Sequence, residues 1–340
     1  MDPIHPGEQA PPALDAADWQ RIADALRYTG RDLHHRSYAV SGERRELLWQ
    51  EMDRCLALAD RLEQRQRPLQ PLPLSAAPAC TLITGASSGI GAALARCLAA
   101  EGRPLVLTAR RADRLEALAD ELRRAHGLTV HTLAVDLAHP SGARQLLVQL
   151  QERQLPVHTL VNNAGFGLRG AFTANDWSGA EAMLLVMVQA ATQLSHALLP
   201  PMQQHGSGRI LNVASLAGLI PGLPGSTLYS ASKAFLIRFS QSLAAEQQGS
   251  GVRVMALCPG YVHTEFHAVL GVEERMRRLP GLFWMESDQL AALALQALRG
   301  DAVVVVPGAV NQLIAGLARL LPSRAATALS GAFSRRYRSR

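Results

Sequence analysis

Residues 229–233 read YSASK, and Lys233 is the only lysine in a 340-residue chain whose lysine and arginine total is 34. A tyrosine and a lysine four positions apart on a helix share one face, so the spacing places a phenol beside an ammonium. A free phenol titrates near about 10, too high to trade a proton easily at neutral pH, and a neighbouring cation favours the phenolate and lowers that value. Arginine would bring the charge as a large planar fork. Lysine brings it as a compact point with three donors. Tyr229 and Lys233 therefore read as acid–base machinery, with a pKa that the lysine should depress.

A second stretch suits a different task. TGASSGIG, residues 84–91, carries glycines at 85, 89 and 91 and runs into the amphipathic helical segment AALARCLAAEG. Glycines let the backbone turn sharply and approach an anion, and the following helix offers free N–H groups to a pyrophosphate. The spacing is G-x3-G-x-G, a variant of the general G-x-G-x-x-G fingerprint, and its place after the first expected strand points to dinucleotide binding. About twenty residues on, where NAD-binding proteins set an acid, this chain has Thr108, Ala109, Arg110 and Arg111. With no carboxylate for the ribose hydroxyls and guanidiniums to meet a phosphate, NADP(H) is expected over NAD(H), with Arg110 as a cofactor residue. Asp136, in AVDLA, is placed either to accept from the adenine amino group or to cap the next helix.

These motifs need elements to position them. Strands are expected at 79–84, 104–109, 128–135, 157–163, 209–214, 252–258 and 302–307, and helices at 89–101, 111–125, 141–154, 176–204, 227–248 and 287–299. Strands apolar on both faces, alternating with crossover helices, imply a doubly wound α/β fold: a parallel sheet of about seven strands covered on both sides. Ahead of it lies an extension (1–66), polar and Pro-rich to about residue 14. It then forms a helical hairpin, with one helix capped by Asp15 and ending near Gly30 and another around 46–64. A Pro-rich linker (67–78) leads to the catalytic domain (79–308), and an amphipathic, basic tail (309–340) follows.

Composition narrows the class. A chain 48% hydrophobic buries a sizeable core, which argues against global disorder. The net charge of +6 comes from scattered arginines, with a run only at the terminal SRRYRSR, so no nucleic-acid groove is indicated. The four cysteines lack metal spacing, His34 and His35 lack a third ligand, and the start of the chain lacks a signal-peptide pattern. No metal site and a cytoplasmic location are expected. The apolar segment 182–202 is interrupted by Gln189, Gln193, Ser195 and His196, which favours a buried helix over a membrane span.

TGASSGIG, NNAG (162–165), Ser215 in ILNVAS, YSASK and PGYVHT (259–264) occur in that order, and over about 79–308 the chain resembles the short-chain dehydrogenase/reductase family of Tyr-x-x-x-Lys type. The resemblance implies an NAD(P)-dependent oxidoreductase that interconverts a carbonyl and an alcohol. Thr84, Gly85, Ser87, Ser88, Gly89, Ile90 and Gly91 fall on the cofactor loop, and Asn162, Ala164 and Gly165 on the motif beside the adenosine ribose. Ser215 falls on the serine that hydrogen-bonds the substrate carbonyl, Tyr229 on the acid/base, and Lys233 on the lysine that holds the nicotinamide ribose. Pro259, Gly260, Val262 and Thr264 fall on the nicotinamide-contacting segment. Relatives of this type commonly form homodimers or homotetramers through the helix at 176–204 and the helix bearing the tyrosine.

One position departs from the pattern. The family carries an asparagine on the long helix, thirteen residues before its Leu-Pro end, in a water relay to the lysine, and counting back from Pro200 lands on Met187. A thioether cannot donate and accepts weakly. Either protons take another route, or the protein binds NADP(H) as a weak or inactive scaffold. The segment 265–285, with Phe266, Val269, Leu270, Leu279, Leu282, Phe283, Trp284 and Met285, and residues 219–223 suggest an apolar cleft for a hydrophobic ketone, aldehyde or secondary alcohol. The tail reads as covering a subunit, closing over the cleft, or lying on a membrane surface.

Overall fold

The computed structural model describes residues 16–66, 72–74, 79–168, 170–222, 225–266 and 280–320. The chain divides into two compact units, Met1–Leu69 and Gln70–Arg340. Most of the proline-rich linker, the basic tail beyond residue 320, and Leu223, Val269, Leu270 and Leu279 lie outside the described residues.

In the first unit α1 (Ala16–Ser37) and α2 (Glu43–Gln66) form the helical hairpin. Ala23 and Ala59 are buried in its seam, with Trp19, Ile22 and Leu26 against them. Arg45 Nε donates to the carbonyls of Ser37 and Val40 (3.1 and 2.9 Å), and Trp49 Nε1 donates to Ser37 Oγ (3.0 Å), which closes the connecting turn. The first helix does not stop near Gly30 as its sequence suggests. Gly30 sits in the seam, where a Cβ would come within 3.0 Å of Leu56, so the glycine serves close helix approach and α1 runs two turns further.

The second unit is a parallel sheet of seven strands in the order β3-β2-β1-β4-β5-β6-β9. In chain order these are β1 (Cys80–Thr84), β2 (Leu105–Ala109), β3 (Val130–Ala134), β4 (Val157–Asn162), β5 (Gly208–Val213), β6 (Val252–Leu257) and β9 (Val304–Val305). The last is shorter than its apolar run, because only Ala256 and Leu257 of β6 are aligned to pair with it. The crossover helices are α3 (Gly89–Ala99), α4 (Ala112–His126), α5 (Gly142–Glu152), α6 (Trp177–His205) and α7 (Thr227–Glu246), followed by α8 (Ser287–Ala297) and α9 (Ala309–Leu320). Leu94, Leu98, Leu115, Leu122, Leu290 and Ala294 of α3, α4 and α8 pack on Leu105, Leu107, Leu211 and Leu257 of the sheet to make the main core. Helix α6 is long and apolar enough to cross a membrane by length and composition alone, and in the fold it packs on β4 and β5.

Two features were not anticipated. Residues 185–190 of α6 form a π-helical turn. A short parallel pair, β7 (Tyr261–His263) and β8 (Trp284–Glu286), follows the PG segment with Val262 opposite Met285. Trp284 stacks on His263 with ring centroids 4.4 Å apart, and Met285 packs against the main core, so packing occupies two side chains expected in the cleft.

Candidate active site

Strand order reverses between β1 and β4, and the expected loop lies at the C-terminal end of β1, where doubly wound sheets open a crevice. Thr84 Oγ1 donates to the Val161 carbonyl (3.2 Å) and accepts the N–H groups of Asn163 and Ala164 (each 3.0 Å). Asn163 Nδ2 donates to the carbonyls of Thr84 and Gly85 (2.9 and 3.2 Å), so it braces the loop from beneath. Gly85 has φ +66°, and a Cβ there would lie 2.8 Å from Ala164 Cα; a Cβ on Gly91 would run into the Gly85 carbonyl oxygen. Ser88 precedes α3 in extended conformation with no side-chain cap, which leaves the first N–H groups of the helix for an anion. This cradle and the bare helix end fit the pyrophosphate of a dinucleotide.

The adenine end differs in detail from the expectation. Arg110 is exposed, while Arg111 turns onto the loop: its Nη2 donates to Ser87 Oγ (3.1 Å) and Ser88 Oγ (2.9 Å). Arg111 Nη1 also reaches Glu265 (3.4 Å), and Arg114 Nη1 holds both oxygens of that carboxylate (2.7 and 2.8 Å). Sequence reasoning named neither Arg114 nor Glu265. The one available sign was the i,i+3 spacing of Arg111 and Arg114. Asp136 is exposed and accepts the N–H of Ala138 (3.0 Å), closing the turn before α5.

Asn162 is buried, and its Nδ2 donates to Asn212 Oδ1 (2.9 Å), Ser195 Oγ (3.2 Å) and the Ala191 carbonyl (3.3 Å). The amide thus staples β4 to β5 and α6, while the backbone of Ala164 and Gly165 edges the crevice. Asn162 Oδ1 has no partner, and the residue borders a small cavity of about 10 Å³ also lined by Thr84, Ala164 and Met187, room for about one water.

At the other end of the crevice Ser215, Tyr229 and Lys233 come together. Ser215 follows β5 and starts a 3-10 turn, its Oγ accepting the N–H of Ala217 (3.1 Å), and its hydroxyl acts on the ionisation of the Tyr229 phenol. Tyr229 and Lys233 leave α7 on one face, with Nζ 5.7 Å from the phenol ring centroid. Lys233 is buried and donates to the Val213 carbonyl (2.7 Å); desolvation brings its ammonium down to about 8, with the Cys258 thiol nearby acting in the opposite direction. Burial pushes the Tyr229 phenol up, and the Ser215 hydroxyl opposes that rise. The lowering expected from Lys233 does not emerge: desolvation dominates at the phenol, and the ammonium is turned to Val213.

The PG segment closes the site. The Pro259 carbonyl accepts the N–H of Leu216 (2.8 Å), tying this segment to the Ser215 turn. Gly260 abuts Asn311 of α9, Val262 is buried in the main core, and Thr264 faces Gly89, whose Cβ would lie 3.1 Å from the Thr264 side chain. Ile90 packs against the same core from the start of α3. Met187 lies in the π turn, buried: a Cβ on Gly165 would be 3.1 Å from its sulfur and 3.6 Å from Lys233 Nζ. The departure read by counting therefore sits beside the lysine. Among the described residues no cluster of three or more His, Cys, Asp and Glu is placed to hold a metal.

Comparison with known proteins places the arrangement. Residues 79–274 match the family described as short chain dehydrogenase. A sulfoacetaldehyde reductase of Chromohalobacter salexigens is 43% identical over 192 residues, 56% of this chain and 75% of its own. A solved short-chain dehydrogenase from Sphingobium yanoikuyae in complex with NADPH aligns with a TM-score of 0.63 at 34% identity, covering 72% of this chain and 96% of that one. The bulky-bulky ketone specific alcohol dehydrogenase from Comamonas testosteroni aligns with a TM-score of 0.59 at 30% identity, covering 72% and 95%.

Proposed function

The chain belongs to the short-chain dehydrogenase/reductase family and is a nicotinamide-dependent oxidoreductase of carbonyl and alcohol groups, and from that premise we propose an NADP(H)-linked enzyme acting on an apolar ketone, aldehyde or secondary alcohol. The observation that carries the catalytic reading is the convergence of Ser215, Tyr229 and Lys233 at the crevice end opposite Arg111. The bound nicotinamide supplies or accepts the hydride. Ser215 donates to the substrate carbonyl oxygen, and Tyr229 Oη delivers the proton that the oxygen needs in reduction and takes it back in oxidation. Lys233 orients the cofactor ribose and keeps its ammonium 5.7 Å from the phenol ring centroid as the proton leaves.

The NADP(H) preference is supported by Arg111 and Arg114 beside Ser87 and Ser88, and by the NADPH in the Sphingobium relative. The apolar substrate is supported by Phe266, whose ring lies 5.7 Å from that of Tyr229, and by the bulky ketones of the Comamonas relative. Residues 79–308 form the catalytic domain in this reading. The outer surface of α6 and α7, where Val188, Thr192 and the exposed Phe235 line an open groove, is its subunit contact.

The test is turnover of NADPH and NADH side by side against a panel of aliphatic, aromatic and anionic carbonyls. Oxidation of NADPH with the bulky apolar members is expected; a preference for NADH, or for small anionic aldehydes, overturns the corresponding half of the reading. A second reading rests on Met187 beside Lys233: a protein that binds NADP(H) without turning it over. A silent wild type with turnover appearing in Met187→Asn selects that reading.

A further inference from the structure

Arg111 stands at the start of α4 and Arg114 in its first turn, so both side chains leave the same face. Arg111 spans three partners, the hydroxyls of Ser87 and Ser88 and the carboxylate of Glu265. Arg114 takes both oxygens of that same carboxylate. Glu265 directly follows Thr264, the residue facing Gly89 across the glycine loop, so it comes to the arginines from a segment more than 150 positions away in sequence. The two guanidiniums hold its carboxyl below the usual carboxylate range, so it is an anion at neutral pH.

Two guanidiniums, one of them resting on two serine hydroxyls, are a set of donors larger than a single carboxylate uses. A phosphomonoester carries nearly twice the charge and three acceptor oxygens, and it suits that set better. Resting on the NADP(H) reading, we propose that Glu265 is a built-in competitor for the 2′-phosphate of the cofactor: it occupies Arg111 and Arg114 when the site is free and must release Arg111 when the phosphate arrives. The carboxylate then lies within a few ångströms of the phosphate it replaced, and its repulsion lowers affinity for the phosphorylated cofactor alone. Glu265 thereby sets how sharply the chain separates NADP(H) from NAD(H) and how readily the spent cofactor leaves.

Dissociation constants for NADPH, NADH, adenosine 2′-monophosphate and adenosine 5′-monophosphate, measured on wild type, Glu265→Gln and Glu265→Asp, test this. Glu265→Gln should tighten NADPH and the 2′-monophosphate by about three- to fivefold, the reach of an exposed ion pair. NADH and the 5′-monophosphate should stay within about twofold, and Glu265→Asp, which keeps the charge, should stay near wild type. Equal tightening of all four ligands, no change, or weaker NADPH binding in Glu265→Gln overturns the competitor while leaving the NADP(H) reading intact. A wild type that does not favour NADPH and the 2′-monophosphate overturns both.

Discussion

At one end of the crevice Arg111 and Arg114 keep 41% and 44% of their side-chain surface in water and share Glu265; at the other, Lys233 is 4% exposed and donates to the Val213 carbonyl. All three are cations carried by helices that flank one sheet. The exposed pair keeps its charge at little cost and exchanges partners easily, because water screens both the pairing and its loss. The buried ammonium has lost most of its hydration, so each remaining contact weighs more, and its charge becomes conditional on pH near about 8. A guanidinium could not titrate there at all. In the proposed reading the exposed end recognises the cofactor and the buried end carries the chemistry.

The sharpest test of that division is Tyr229→Phe, which removes the exchangeable proton and leaves the ring. Turnover should fall by about 10³, the range of a lost general acid, while NADPH affinity stays within a few-fold. Steady-state rates and a binding titration separate the two, and loss of binding without loss of rate would reverse the assignment. Lys233→Arg keeps charge but brings a planar fork into a space filled by a compact ammonium. A loss of about 10² in turnover is expected, and near wild-type rates would show that shape is irrelevant there.

A smaller effect is expected at the exposed end. Arg111→Ala should weaken NADPH by about tenfold and NADH by less than about twofold, read by equilibrium titration, because it removes hydrogen bonds to one phosphate. Equal losses for both cofactors would mean that Arg111 serves the loop through Ser87 and Ser88 instead. The smallest change concerns stability. Lys233 titrates near about 8 when folded and at 10.5 when free, so the unfolded chain binds more protons between these values and folding stability rises with pH across that window. Below about 8 the penalty of the buried charge is at its full size. Lys233→Met should therefore be more stable than wild type at pH 7 by about 1–3 kcal/mol, with the gap closing as pH climbs towards 10.5. Denaturant melts across that range measure it, and a gap that widens with pH would contradict the burial argument.

Much of the frame was legible because each strand is a short apolar run bounded by turn residues, and the loop, serine and tyrosine–lysine motifs each sit within a few positions of sequence. What escaped was non-local. Arg111 rather than Arg110 faces the loop because of where α4 begins, and no pattern around residue 111 announces a partner at 265. Asn163 braces the loop, while alternation along β4 turns Asn162, read onto the motif beside the adenosine ribose, into the sheet's interior. Gly30 was read as a helix end because a glycine's role in helix contact depends on what crosses it.

The sequence alone was enough to name the candidate reacting groups, the doubly wound order of elements and the departure at Met187, because these depend on residue type and short spacing. The tertiary structure decided how those groups are charged and coupled. Desolvation raised the phenol that Lys233 was expected to lower, the π turn set Met187 beside that lysine, and folding brought Glu265 onto two arginines. Solvent exclusion and Coulomb interaction act through distance in space, and only the folded chain sets that distance.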